Sequence, residues 1–278
     1  MTVLGHSLDN LVNPERCEEF GYGLGTPGGI LILRYRSSGS LSFGPQRQDF
    51  LHQLYWSPDG VLASAHGPSS CFTASEEAFW ARRAVVHEVT AGERQTVYRV
   101  CLREVPPGIG GLHAGPVSLT EEAALLVQEI SRPGYDAAAA LAARERIMAG
   151  LAASSDAQAA ARASGLGFAR SVARRMTHDP GDPTGLAEWA DHLRISVKTL
   201  QRDFTREFGM SYTTWRTKLR LSAARALLRT EPVTKVAHRV GYGSPSAFIA
   251  AYAKEYGHTP GRLPDASRGP LPAPGRTT

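Results

Sequence analysis

Cysteine is scarce in this chain. Its 278 residues include three, Cys17, Cys71 and Cys101, at wide spacing and with no CxxC pair. That excludes a disulfide framework and a zinc finger, and it suits a reducing cytosol. Long apolar runs are also missing: none approaches the ~18–20 residues that a spanning helix needs, so no membrane partner is expected. Residues 1–10 lack the basic and apolar segments of a signal peptide, which makes the cytoplasm the expected location. No nucleophile elbow, phosphate loop with its lysine, or defensible carboxylate pair is present. No catalytic residue, metal or cofactor follows from the motifs, and the chain does not read as an enzyme.

What the sequence does have is an uneven charge distribution. The formal net charge is +5. Residues 1–179 carry 16 Lys/Arg against 18 Asp/Glu, whereas residues 180–263 carry 13 against 7. A basic excess confined to 84 residues is the footprint of a polyanion-binding module joined to a neutral or acidic one.

Three composition regimes follow one another. Between residues 21 and 107, short apolar runs such as Ile30-Leu31-Ile32-Leu33 and Thr96-Val97-Tyr98 are separated by turn signals. The clearest turns are Ser57-Pro58-Asp59-Gly60 and Ala91-Gly92-Glu93. That pattern predicts a sandwich or small barrel. From Ser118 the pattern turns helical: Ser118 and Glu121 have capping-box spacing, and Leu119, Ala123, Leu126 and Ile130 share one face. Residues 137–163 hold 14 alanines, which fits either close helix pairing, within or between subunits, or a flexible linker. A Pro- and Gly-rich boundary follows at residues 177–183.

Beyond that boundary the sequence repeats itself. Leu186, Trp189, Ala190 and Leu193 match Val233, Val236, Ala237 and Val240 at an offset of 47. Both sets follow the i, i+3, i+4, i+7 spacing of one helix face. Ser196, Leu200, Phe204 and Gly209 then match Ser244, Phe248, Tyr252 and Gly257 at an offset of 48. Each unit is a short helix, a tight turn, an N-cap serine and a second helix closed by glycine. Pro245 sits where a first helical residue tolerates a missing N–H. This is a helix-turn-helix layout, present twice. A third helix from Ser211 to Arg229, about 28 Å long at ~1.5 Å per residue, joins the units. It could hold two reading heads near major grooves ~34 Å apart, with the shortfall met by bending the DNA or by shallow seating of one head.

Residues 186–263 resemble the DNA-binding domain of AraC/XylS-type transcription regulators. The resemblance is carried by Val236-Ala237-His238-Arg239-Val240-Gly241-Tyr242-Gly243-Ser244, then Phe248, Tyr252, Lys254 and Gly257-His258-Thr259-Pro260. Gly261-Arg262-Leu263 stands where that family often has an aromatic residue and an arginine. Because Leu200, Phe204 and Phe208 must face the core, Lys198, Thr199, Gln201, Arg202 and Thr205 are left facing a groove. Gln reads adenine and Arg reads guanine through bidentate bonds, and the resemblance places base contacts at Lys198, Gln201 and Arg202. The second unit offers Ser246, Ala247, Ile249 and Ala250, none able to make bidentate contacts. Ser244, Ser246, Ala247 and Lys254 are therefore expected to serve backbone contact and shape recognition.

The strand-rich segment resembles the cupin-like effector domain that precedes many such DNA-binding domains. His52-Gln53-Leu54-Tyr55-Trp56 matches its first sequence block, and Trp80 with His87-Glu88-Val89 matches its second. The first block lacks the usual His-x-His, and Arg82-Arg83-Ala84 replaces the usual Pro-x-Gly. His52, Trp56, Trp80 and His87 are the candidate effector-binding residues. His52, His66 and His87 could alternatively gather around a metal, or serve only as structural residues. Trp56, Trp80, Tyr55 and Phe43 could line a pocket or form ordinary core.

The expected class is α+β, with four parts: a cupin-like N-terminal β-barrel at 1–115, a helical linker and dimerisation region at 116–179, a double helix-turn-helix domain at 180–264, and a disordered tail at 265–278. The expected function is sequence-specific transcription regulation. Promoter DNA, RNA polymerase, a small-molecule effector and a second copy of the chain are the expected partners. The competing readings are a cupin-type metalloenzyme with an accessory DNA-binding domain, and an architectural DNA binder without sequence preference.

Overall fold

The computed structural model describes residues 16–153 and 167–260. The expected tail, Gly261-Arg262-Leu263 and much of the alanine-rich stretch lie outside these residues.

Eleven strands are described: β1 (Arg16–Tyr22), β2 (Ile30–Arg36), β3 (Leu41–Ser42), β4 (His52–Trp56), β5 (Leu62–His66), β6 (Ser69–Thr73), β7 (Glu77–Ala81), β8 (Glu88–Ala91), β9 (Thr96–Leu102), β10 (Ala114–Leu119) and β11 (Leu151–Ala153). They form two antiparallel sheets. The larger has the order β1-β2-β9-β4-β7-β10-β11 and the smaller β3-β8-β5-β6. Among the described residues the strands do not close into one ring, so the coarse α+β expectation holds while the barrel takes the form of two sheets face to face.

Side-chain alternation sorts the larger sheet into two cores. Tyr35, Tyr55, Phe79 and Val97 point inward and meet Leu41, Leu62, Val89 and Ala91 of the smaller sheet. Ile32, Leu54, Trp56, Trp80 and Val100 point the other way. They are covered by α1 (Glu121–Ile130) and α2 (Ala137–Ala149) through Ala123, Leu126, Ile130, Ala143 and Ile147. Burial on both faces explains why β4 and β7 are buried at every position.

Two details differ from the sequence expectation. Ser118 does not cap α1. It lies in β10, and Thr120 is the N-cap, its hydroxyl oxygen accepting from Ala123 N at 3.2 Å. The strand runs two residues further than the capping-box spacing implied, because Val117 and Leu119 remain useful to the sheet core. The alanine-rich helix ends at Ala149 and gives way to β11, which pairs with β10.

Six further helices are described: α3 (Phe168–His178), α4 (Leu186–Leu193), α5 (Val197–Phe208), α6 (Tyr212–Leu227), α7 (Val233–Arg239) and α8 (Pro245–Tyr256). Their common core contains Trp189, Leu200, Phe204, Leu221, Val236, Phe248 and Tyr252. It extends onto Val61, Ala63 and Phe72 on the outer face of the smaller sheet. The layers therefore run helices, sheet, sheet, helices.

Candidate nucleic-acid interface

The caps that the repeat implies are present. Ser196, Ser211 and Ser244 begin α5, α6 and α8, their hydroxyl oxygens accepting from Thr199 N, Thr214 N and Ala247 N at 3.0, 3.2 and 3.2 Å. Gly209 and Gly257 end α5 and α8 at φ +67° and +79°, a left-handed conformation costly for any residue with a β-carbon. The ends of α5 and α8 are thus marked by local chemistry, while their stability as short helices comes from packing. The connecting helix α6 spans 16 residues, about 24 Å at ~1.5 Å per residue, shorter than the span from Ser211 to Arg229.

On α5 the faces divide cleanly. Leu200 and Phe204 are fully buried, while Lys198, Gln201, Arg202 and Thr205 are exposed. Thr199 is half-buried, its hydroxyl 2.7 Å from that of Ser196 within the cap, and Thr205 donates to the Gln201 carbonyl at 3.1 Å. On α8, Ser244, Ser246, Ala247, Ala250 and Lys254 are exposed opposite buried Phe248 and Tyr252. Among the described residues Lys198, Arg202 and Lys254 form no ion pair, which leaves their charge available to a polyanion. The exposed row on α5 thus combines one amide and two cations, whereas the exposed face of α8 presents mostly small side chains.

Several basic residues are employed internally instead. Arg220 donates to the Pro180 and Gly241 carbonyls at 2.9 Å each and to the Asp182 carbonyl at 3.1 Å. It ties the segment before α4 to the turn between α7 and α8. Burial, then the neighbouring Arg216, push its guanidinium below the usual arginine range. Arg216 donates to the Asp182 carbonyl at 2.8 Å, and Arg225 lies against Glu93 of the sheet region. Asp203, on the back of α5, accepts from Ala169 N at 2.8 Å in the first turn of α3 and pairs with Arg206. The helical spacing placed Arg216, Arg220 and Arg225 on the non-apolar faces of α6. Their carbonyl and carboxylate partners, 34 to 132 residues away in sequence for Asp182 and Glu93, were not visible there.

The effector candidates separate between the two cores. His52, Trp56 and Trp80 share the outer face of the larger sheet. His52 stacks on Trp80 with ring centroids 5.4 Å apart, and its Nδ1 accepts from Arg83 N at 3.1 Å. Trp56 Nε1 donates to the Ser75 carbonyl at 2.8 Å. His87 lies between the sheets, its Nδ1 3.0 Å from the Val85 carbonyl and its Nε2 3.3 Å from the Tyr55 hydroxyl. His66 also lies on that side, against Phe79. The larger sheet thus stands between His52 and the other two histidines, and among the described residues no group of three or more His, Cys, Asp or Glu side chains has an arrangement suited to a metal ion. Burial holds both His52 and His87 below the ordinary imidazole value. Arg83 and Arg82 add to the effect at His52, and Arg99 and His66 at His87.

Two cavities lie where the sheets meet the helices. One, of about 390 Å³, is bounded by Val61, Glu77, Arg174, Trp215, Lys218 and Leu219. The other, of about 620 Å³, is bounded by Trp56, Ser118, Leu125, Arg170 and Arg174. Of the four effector candidates, Trp56 alone lines either of them.

The C-terminal helices thus form two helix-turn-helix units, each with one exposed face. The family described as "Helix-turn-helix domain" matches residues 189–265. The chain is 37% identical over 94 residues to the HTH-type transcriptional regulator NimR of Escherichia coli, covering 34% of each protein. It is 36% identical over 93 residues to the HTH-type transcriptional regulator RipA of Corynebacterium glutamicum, covering 33% of this chain and 28% of that one. A putative AraC-like transcription regulator of Streptomyces antibioticus is 32% identical over 99 residues, covering 35% of this chain and 32% of the other. The chain therefore spans about a third of the length of these relatives. Among solved structures, the DNA-binding domain of AdpA in complex with a target DNA is 27% identical, covering 34% of this chain and 86% of that one, with a TM-score of 0.32. Residues 189–265 of this chain are thus similar to helix-turn-helix domains of transcriptional regulators.

Proposed function

We propose that the chain is a sequence-specific transcription regulator of the AraC/XylS type. Lys198, Gln201 and Arg202 on α5 read bases in one major groove. Ser244, Ser246, Ala247 and Lys254 on α8 engage backbone and groove shape in the next. The observation that carries this reading is the division of α5 into a buried apolar face and an exposed Lys–Gln–Arg row. The two-sheet region, cupin-like in its sequence blocks, senses an effector or partner, and the cavities between sheets and helices are where occupancy would alter how the two parts meet. Promoter DNA and RNA polymerase are the partners, in the cytoplasm, and the alanine-rich α2 with its neighbours supplies a surface for a second copy.

The test is selection of binding sites from random duplexes by the full-length protein at fixed salt. The expected outcome is an enriched motif in two segments about one helical turn apart, bound at least ~10³-fold more tightly than a scrambled competitor. Equal affinity for motif and scramble would remove the reading.

A further inference from the structure

The turn Ala91-Gly92-Glu93, which the sequence marks only as a break between strands, carries a polar contact between the sheets and the helices α6 and α8. Glu93 leaves the smaller sheet and is buried among groups of the DNA-binding domain. Its Oε1 lies 3.6 Å from Arg225 Nε on α6, accepts from the Tyr252 hydroxyl on α8 at 3.3 Å, and lies 3.4 Å from His258 Nε2 just beyond α8. Arg225 stacks over the Tyr256 ring at 4.8 Å, and the Tyr252 and Tyr256 rings lie 4.7 Å apart. The carboxylate is therefore held by a cage drawn from α6, α8 and His258, two residues beyond α8. Among the described residues no other carboxylate pairs with Arg225 or His258. Gly92 allows this approach, because a β-carbon there would come within 2.7 Å of Arg225 Cβ.

We propose that Glu93 is a positioning residue for DNA binding: from the sheet region, it fixes the orientation of α8 relative to α5. The proposal rests on the reading of α5 and α8 as groove-reading helices. A helix with bidentate side chains can recover specificity from a slightly wrong angle, since its hydrogen bonds steer it. The exposed face of α8 offers Ser246, Ala247 and Ala250, so its contribution depends on how well its backbone and methyl groups lie against the duplex. That contribution is set by placement, and placement is what Glu93, Arg225 and Tyr252 supply. Docking leaves the exposed faces of both helices open, so the contact does not act by covering them.

The experiment uses the full chain and the two-segment motif selected above. Three duplexes are compared: the intact motif, the motif with only the α5 segment, and the motif with one base pair inserted between the segments. Glu93→Gln should weaken binding to the intact motif about tenfold, leave the α5-only duplex unchanged, and abolish discrimination against the insertion. Gly92→Ala, which pushes α6 away, and Tyr252→Phe, which removes only the hydroxyl, should move the same ratios in the same direction. Tyr252→Phe serves as the mild variant should Glu93→Gln not fold. A parallel loss on all three duplexes would assign Glu93 a merely structural role and overturn the proposal. Unchanged binding, or tighter binding as for a released inhibitor, would overturn it as well. Failure of selection to yield any motif would instead count against the proposed function itself.

Discussion

His178, the last residue of α3, has its Nε2 2.7 Å from Oε2 of Glu77, the first residue of β7. The carboxylate is almost fully buried and also faces Arg174 Nε at 3.6 Å. A sheet residue and a helix residue 101 positions apart are thus joined where the C-terminal helices meet the sheet.

His178→Ala should therefore loosen this junction. A hydrogen bond to a charged group contributes about 1.5–3 kcal/mol, lowered here because the imidazole is one-third exposed. The expected outcome is a loss of about 1 kcal/mol in urea unfolding. Faster amide exchange should be confined to α3 and β7, with the interior of α5 and α8 unaffected.

Base discrimination should be asymmetric between the two units. Arg202→Ala is expected to relax preference at one position of the motif by about 1–3 kcal/mol, whereas Ser246→Ala should change little. Competition binding against single-position variants of the motif measures both. Comparable loss of specificity from the two substitutions would defeat the asymmetry.

Exposed and internal cations should respond differently to salt. Lys254→Ala is expected to make the slope of log K against log salt shallower by about 0.9, the value of one lost phosphate contact. Arg220→Ala should leave the slope unchanged and lower the unfolding midpoint, because its guanidinium holds the Pro180, Asp182 and Gly241 carbonyls.

Stability should fall with acidification. Burial keeps the imidazoles of His52 and His87 below the ordinary value of 6.5 in the folded protein. The unfolded chain therefore binds more protons than the folded one once the pH drops to that value. Stability is full above about pH 6.5 and declines as the pH falls from there toward the lowered folded-state values. Urea midpoints taken between about pH 7.5 and 5.5 should show the decline, and His87→Gln should flatten part of it.

The second half of the chain was legible because its signals are local. Serines at 196, 211 and 244 and glycines at 209 and 257 specify helix ends through bonds spanning three or four residues, and apolar spacing then assigns the buried faces. The first half was legible only as strands. Trp56, Trp80 and Tyr55 all have strand spacing, yet the first two face α1 and α2 while Tyr55 faces the smaller sheet. Period-two alternation identifies two faces without saying what covers each. The sites of Glu77, Glu93, Arg220 and Arg225 were not legible for a related reason. A charge on a helix or turn looks solvated until docking brings its partner from another part of the chain. Ser118 shows the opposite error, where correct cap spacing lost to two more residues of strand.

The helix α3 is fastened at both ends. Asp203, on the back of α5, grips its first turn, and Glu77 grips its last. Its 11 residues make a rod of about 16 Å with one bearing on α5 and the other in the larger sheet. A tilt of α5 against β7 must therefore strain or open one of these two carboxylate clasps.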